Sequence, residues 1–409
     1  MVFNHSFIAL LTLALTVAAN PIVVRDSLVT IPFAKHVNLT GSANLVQSDQ
    51  ARAKALKERA EAYRFGNFVE AVGSQPLRAT PVSYVAAIGV GSPPTSYDLI
   101  VDTGSSNTWV GAGKGYATTS TSMSTPNSVA VSYGSGSFSG REFLDQVVVA
   151  GLTIASQSIG AATQSTGFRG VDGILGIGPV RLTQGTLSPA TNQAIPTVTD
   201  NLFAQGHISD NSVAVSFAPL TINAPTNGEI TFGGVDSSKF TGSIHFTPIT
   251  TTFPASVYWG VDQTITYGTT SILSSTAGIV DTGTTLVLIA SDAFARYQAA
   301  TGSVLDRNTG LLRINPAQFN SLKDLNFVIG GQTFTLTPNA QIWPRSLNTL
   351  IGGNANSVYL IVANLGSNSG EGLDFINGQS FLERFYSVYD TGNKRVGLAT
   401  TQFTAATTN

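Results

Sequence analysis

The stretch Leu99-Ile100-Val101-Asp102-Thr103-Gly104-Ser105-Ser106 has a near copy 179 positions later, Gly278-Ile279-Val280-Asp281-Thr282-Gly283-Thr284-Thr285. Each copy is an apolar run that delivers an aspartate into a turn, with a glycine two places on and a pair of hydroxyl residues behind it. Two carboxylates in matched settings point to one shared site. A second repeat supports this: Gly170-Val171-Asp172-Gly173-Ile174-Leu175-Gly176 is echoed by Gly372-Leu373-Asp374-Phe375-Ile376-Asn377-Gly378, each downstream of its own Asp-Thr-Gly. The chain therefore reads as two related halves. Its composition predicts about 0.2 Asp-Thr-Gly triplets by chance; there are three. The third, Asp390-Thr391-Gly392, follows Tyr389 and precedes Asn393-Lys394, the chemistry of a solvated turn between strands, so Asp390 is set aside as a catalytic group.

The 409 residues can hold two domains of ordinary size, each with a substantial core. Charged residues make up only 11% against 42% apolar, with abundant Ser, Thr and Gly, which is a β-rich extracellular composition. A net charge of -2 with no Lys/Arg cluster argues against nucleic acid and phosphate ligands. The apolar run Ser6 to Ala19 is too short to span a bilayer, ends in small residues, and reads as a secretory signal, although His5 and no Lys or Arg precedes it. No cysteine is present, which removes disulfides, thiol nucleophiles, Cys-ligated zinc and iron-sulfur clusters.

Charge is unevenly spread: Asn20 to Arg78 carries eight Lys/Arg against five Asp/Glu, whereas Ala79 to Asn409 carries thirteen against eighteen. Within this basic leader, Ser48 to Phe65 consists of strong helix formers, with Ser48 or Asp49 suited to cap it. A surface helix of the finished protein is one reading. The preferred one is a propeptide whose positive charge covers an acidic cleft, with Lys54 or Lys57 as candidate partners of the two aspartates and the mature chain starting near Ala71. The expected organisation is a signal peptide over 1–19, a propeptide over 20–70, and two lobes over 71–245 and 246–409.

From Ser83 onward, short β-branched and aromatic runs such as Val129 to Tyr133, Gln146 to Val149 and Gly228 to Phe232 alternate with Gly, Asn and Ser, predicting strands and tight turns. Short helices are expected at Thr199 to Gln205, Asp292 to Ala300, Pro316 to Leu322 and Gln379 to Phe385. The two lobes should meet near Gly242 to Thr252.

Packed about a pseudo-twofold axis, Asp102 and Asp281 would face each other. Like charges that close cannot both ionise, so the pair would hold one proton at acidic pH. One carboxylate could then act as general base on a water while the other, protonated, donates to a substrate carbonyl oxygen. The expected reaction is amide hydrolysis without a covalent intermediate. Gly104 and Gly283 allow backbone close to the carboxylates. Ser105 and Thr284 are placed to donate to the outer carboxylate oxygens, and Thr103 and Thr282 to tie one loop to the other.

From about Val82 to Ala399 the chain resembles the pepsin-type aspartic endopeptidases, most of all the cysteine-free polyporopepsin-like enzymes of fungi. The likeness rests on both Asp-Thr-Gly loops, the run Asn107-Thr108-Trp109-Val110, the segment Phe232 to Ser238, and the closing Phe385 to Ala399. The resemblance implies a mostly β, bilobal double β-barrel fold with pseudo-twofold symmetry and a cleft between the lobes. It also implies a flap, Tyr133-Gly134-Ser135-Gly136-Ser137-Phe138-Ser139-Gly140, closing over bound peptide with the Tyr133 hydroxyl reaching toward Trp109. No Lys-Ser or Lys-Thr follows these glycines, so a phosphate-cradling loop is disfavoured.

Relatives that cleave after lysine have an acidic residue where this chain has Ser135. A preference for large apolar residues around the scissile bond follows, with Ile100 and Ile174 as apolar walls. Asn377 departs from the apolar residue usual beside that glycine. A silent binding relative would typically lack one aspartate or its glycine, and both are intact. His207 and His245, the histidines after Ala71, come without a Gly-x-Ser-x-Gly or His-Glu-x-x-His motif, so a serine or metal hydrolase is not indicated. No pattern calls for a metal, cofactor, nucleotide or partner subunit, so a monomer acting on polypeptides is expected. The sequons at Asn4 and Asn38 fall in the signal and leader, so the mature chain should lack N-glycans.

Overall fold

Alternating apolar and polar residues in short β-branched runs, cut by glycine turns, build a chain of strands with few helices. A computed structural model describes residues 28–37, 45–66, 82–219 and 227–409. The apolar run at 6–19, both sequons and the expected mature start near Ala71 lie outside these residues. The architecture is the expected mostly β, two-lobed one: a 14-stranded sheet, a seven-stranded sheet and a small three-stranded sheet.

The large sheet begins in the leader. Strand β1 (Val29–Val37) lies between Gly228–Phe232 and β2 (Val82–Val90), antiparallel to both. Phe33 is the anchor, edge-on to Tyr84 and Phe217 at 5.3 Å, while Tyr84 stacks on Phe217 at 3.9 Å. Lys35 pairs with the buried Glu383 at 2.5 Å, and the Tyr84 hydroxyl donates to the same carboxylate at 2.9 Å. The sheet continues through β3 (Thr95–Asp102), β4 (Thr108–Val110), β5 (Met123–Ser132), β6 (Ser137–Val149), β7 (Leu152–Thr166) and β8 (Gly173–Gly176). On its other side the final strands, Phe385–Asp390 and Arg395–Thr400, pair with Ser212–Phe217 and Thr241–Pro248, so the end of the chain is woven into the same sheet.

Helix α1 (Leu45–Phe65) starts earlier than the sequence predicts. Ser48 and Asp49 are inside it and buried, so neither caps it. The short helices fall at Val198–Ala204, Ser291–Thr301, Pro316–Asn320 and Gln379–Leu382, near their expected places. The strand Thr241–Pro248 covers much of the stretch near which the two lobes are expected to meet; Ile244 to Thr247 are residues that a neighbouring edge can recruit, here Arg395–Thr400. Asp390 ends a strand and accepts hydrogen bonds from Asn393 and Arg395, a structural carboxylate at a turn.

One large core runs through the body. A smaller one, including Trp109, Tyr133, Phe138 and Phe168, sits beneath the β5–β6 hairpin that carries Tyr133 to Gly136.

Candidate active site

The two repeats of the sequence make two equivalent clamps. Strand β3 ends at Asp102 and runs parallel to β8, with Asp102 opposite Gly176. The strand Thr270–Val280 delivers Asp281 in the same way, parallel to Phe375–Asn377, and the Asp281 N–H donates to the Asn377 carbonyl at 3.1 Å. Both carboxylates are buried.

Each turn then solvates its own aspartate. The Gly104 and Gly283 N–H groups donate to the inner oxygens of Asp102 and Asp281 at 3.0 and 3.1 Å. Ser105 and Thr284 hydroxyls donate to the outer oxygens at 2.5 and 2.6 Å. Both glycines are required by proximity: a Cβ on Gly104 would lie 2.7 Å from Asp281 Oδ1, and one on Gly283 would lie 2.6 Å from Asp102 Oδ1. Between the turns the threonines exchange bonds. Thr103 N–H donates to Thr282 Oγ1 at 3.0 Å and Thr282 N–H to Thr103 Oγ1 at 2.9 Å, while the Thr282 hydroxyl reaches the Val101 carbonyl at 2.9 Å. Buried backbone donors thus find acceptors across the junction, which fixes the two loops as one unit.

The Asn377 side chain, anomalous in the sequence, is paired. It donates to the buried Gln263 at 2.8 Å, so a two-residue amide pair replaces apolar packing beneath the second loop.

The leader fills the space above the aspartates. Arg52 donates through Nη2 to both Asp102 Oδ1 at 2.5 Å and Asp281 Oδ1 at 2.9 Å, and through Nε to Asp281 Oδ2 at 2.7 Å. Burial alone would push the Asp281 carboxyl up; the Arg52 charge and its hydrogen bonds, with those of Thr284 and Gly283, outweigh this and hold it below the ordinary value. The expected lysine partners are elsewhere. Lys54 is exposed beside Glu58, and Lys57 bonds Ser367 and Glu371. The arginine places Nη2 between the two carboxylates and adds Nε on the second oxygen of Asp281, a fork that a lysine ammonium lacks.

One turn earlier on α1, Asp49 accepts from the backbone N–H groups of Thr285 and Leu286, at 3.2 and 2.8 Å. Burial raises its carboxyl to about 7 in spite of those donors. Arg52 and Asp49 are the site residues that sequence reasoning missed. The available signal was their three-residue spacing, which sets both on one helix face.

The hairpin turn Tyr133 to Gly136, the expected flap, lies on this helix. Gly134 faces Ala51 and Ala55, and the Tyr133 N–H closes the hairpin on the Gly136 carbonyl at 2.8 Å. The Tyr133 ring lies 6.4 Å from that of Trp109; burial pushes the phenol up, and the Trp109 indole toward which its hydroxyl reaches offsets part of that push. Ile100, Ile174, Tyr133, Ser135 and Phe168, with Arg52, line a space of about 20 Å³ beside Asp102. Trp109 stands one layer back, stacked on Phe138 at 4.2 Å.

Paired buried aspartates held in symmetric donor cradles at a lobe junction define an aspartic-type hydrolase site. Comparison with known proteins agrees: the profile described as eukaryotic aspartyl protease matches residues 83–401, and the chain belongs to that family. It is 68% identical over 340 residues to polyporopepsin of Irpex lacteus, covering 83% of this chain and all of that protein. It is also 33% identical to cathepsin E of Rattus norvegicus, over 78% of this chain and 80% of that one. The crystal structure of the aspartic proteinase from Irpex lacteus superposes with a TM-score of 0.79, covering 80% of this chain and 96% of that one at 68% identity. The protein is a pepsin-like aspartic endopeptidase acting on polypeptides. Among the described residues no helix is long and apolar enough to cross a membrane.

Proposed function

We propose that the protein is a secreted acid endopeptidase made as an inactive precursor, in which Asp102 and Asp281 share one proton and activate a water between them. Two carboxylates this close cannot both ionise, which is the established behaviour of aspartic-protease dyads. The ionised partner takes a proton from the water as the other protonates the scissile carbonyl oxygen; the resulting gem-diol collapses with protonation of the leaving amine. Thr103, Gly104, Ser105, Thr282, Gly283 and Thr284 support the pair, and Tyr133, Gly134, Ser135, Ile100, Ile174 and Trp109 form the flap and the walls for large apolar side chains.

The observation that carries this reading is that a single guanidinium nitrogen of the leader bonds both aspartates. A cation seated there occupies the position of the attacking water and cancels the charge that the mechanism needs. Residues 1–19 then act as a secretory signal and 20–70 as the propeptide. The mature enzyme comprises lobes 71–245 and 246–409, works as a monomer and carries no N-glycan.

The test is to secrete the full chain, hold samples from pH 7 down to pH 3, and follow mass and peptidase activity together. Release of the leader near Ala71 coinciding with onset of activity is the expected result. Full activity of the intact chain at pH 5 or above would overturn the precursor reading.

A further inference from the structure

A second cation of α1, Lys57, is seated on the body. Lys57 Nζ bonds Glu371 Oε2 at 2.7 Å and Ser367 Oγ at 2.5 Å. From Arg52 to Lys57 is five residues, about 7.5 Å along α1 and about 140° around it, so Lys57 meets a side wall of the cleft beyond the aspartates. The loop that forms this wall is pinned independently of the leader. Asp374 accepts from the Gly370 and Glu371 N–H groups at 2.7 and 3.0 Å, and Asp292 accepts from Ser369 N–H at 2.9 Å. The groups around Glu371 are thus Asp374 and Asp292 within the loop's support, Arg296 paired to Asp292, and from the leader Lys57, with Arg64 over Phe253 close to Gly372. Removing the leader takes Lys57 and Arg64 away and leaves the Glu371 carboxylate, which Lys57 of α1 had paired, without its cation.

We infer that Ser367 and Glu371 form a subsite for a basic side chain of the substrate, two or three residues from the scissile bond. The distance follows from the rise of about 3.3 Å per residue in an extended peptide. This rests on the proposed reading of α1 as occupying the substrate's path. The subsite is separate from the space at Ser135, whose lining includes Ile100, Ile174 and Phe168 beside Asp102.

The acid-processed enzyme is assayed on one peptide in which Lys, Gln or Glu is scanned over three residues on each side of a single apolar cleavage bond, at pH 3 and pH 5. At one position two or three residues from the bond, Lys exceeds Gln in kcat/KM by about two- to fivefold at pH 5, the range an exposed ion pair supports. The advantage shrinks at pH 3, where a free glutamate, with its ordinary value near 4.3, is protonated. Glu371→Gln removes the difference in kcat/KM between the Lys and Gln peptides at that position. Equal rates for Lys and Gln at every position, with the Gln peptide well cut, overturn the subsite, as does a Lys advantage that survives Glu371→Gln. Failure to cut any of the peptides would overturn the proteolytic reading and the subsite with it.

Discussion

Arg52 holds Asp281 with two nitrogens, Nε at 2.7 Å and Nη2 at 2.9 Å, across 229 residues of chain. The same Nη2 holds Asp102 at 2.5 Å. Removing one partner of a buried ionic cluster costs about 3–5 kcal/mol because the remaining charges lose their compensation. Arg52→Ala should therefore loosen the leader at neutral pH, read as loss of amide-exchange protection over 45–65, with Arg52→Lys intermediate because its ammonium lacks the fork. Unchanged protection in Arg52→Ala would remove Arg52 from the hold on the leader.

The leader's pH response has two opposing parts. Asp281 is held below 3.8 in the docked state, so its contribution to docking is present above pH 3.8 and is lost as pH falls through the lowered value. Asp49 is raised to about 7, so its contribution is fullest below pH 3.8 and is lost as pH rises through about 7. Docking should be tightest near pH 3.8, below which the Asp281 contribution declines and above which the Asp49 contribution does, and should weaken toward both pH 3 and pH 8. In Asp49→Asn the alkaline weakening should disappear and the acid release remain. Protection of 45–65 measured across pH checks both arms; an alkaline limb that persists in Asp49→Asn would exclude Asp49 as its source.

Thr282→Val strands the Thr103 N–H and deletes the bond to the Val101 carbonyl. An unsatisfied buried donor costs about 1–3 kcal/mol, so melting should fall accordingly. Because the two turns then lose their shared register, kcat should fall more than KM rises. A variant with wild-type kcat would show that the threonine exchange holds the fold without positioning the aspartates.

Ser135 is buried in the wall beside Ile100 and Ile174. Ser135→Asp places a carboxylate where relatives that accept lysine carry one. Cleavage after lysine should rise about tenfold in kcat/KM at pH 5, within the range of a charge-assisted hydrogen bond. Apolar peptides should be cut more slowly. No gain on lysine peptides would mean that this wall does not contact the residue before the bond.

The repeats made the site legible: matched apolar runs ending in Asp-Thr-Gly, each with a second glycine-rich strand downstream, can be read as two equivalent clamps, and they are so built. Strands such as Gly228–Phe232 and the short helices follow local pattern and fall where expected. The Thr241–Pro248 strand did not, because it is fixed by pairing with Arg395–Thr400, more than a hundred residues away. Which leader cation meets the aspartates is not legible in the sequence for a similar reason. Composition identified a basic helix, but which cation meets the aspartates depends on how that helix is rotated in the cleft. Asp49 on Thr285 and Leu286, and Lys57 on Glu371, set that rotation.

The central claim is that Asp102 and Asp281 act as one catalytic pair. Its most direct test is hydrolysis of a denatured protein between pH 2 and 7 by leader-free enzyme, with Asp102→Asn and Asp281→Asn each prepared with the same leader removed by an added protease. Either substitution alone should lower kcat by at least about a hundredfold, the lower bound for loss of a positioned general acid or base, while folding and peptide binding persist. Acid hydrolysis surviving in either variant at near the wild-type rate would contradict the shared pair.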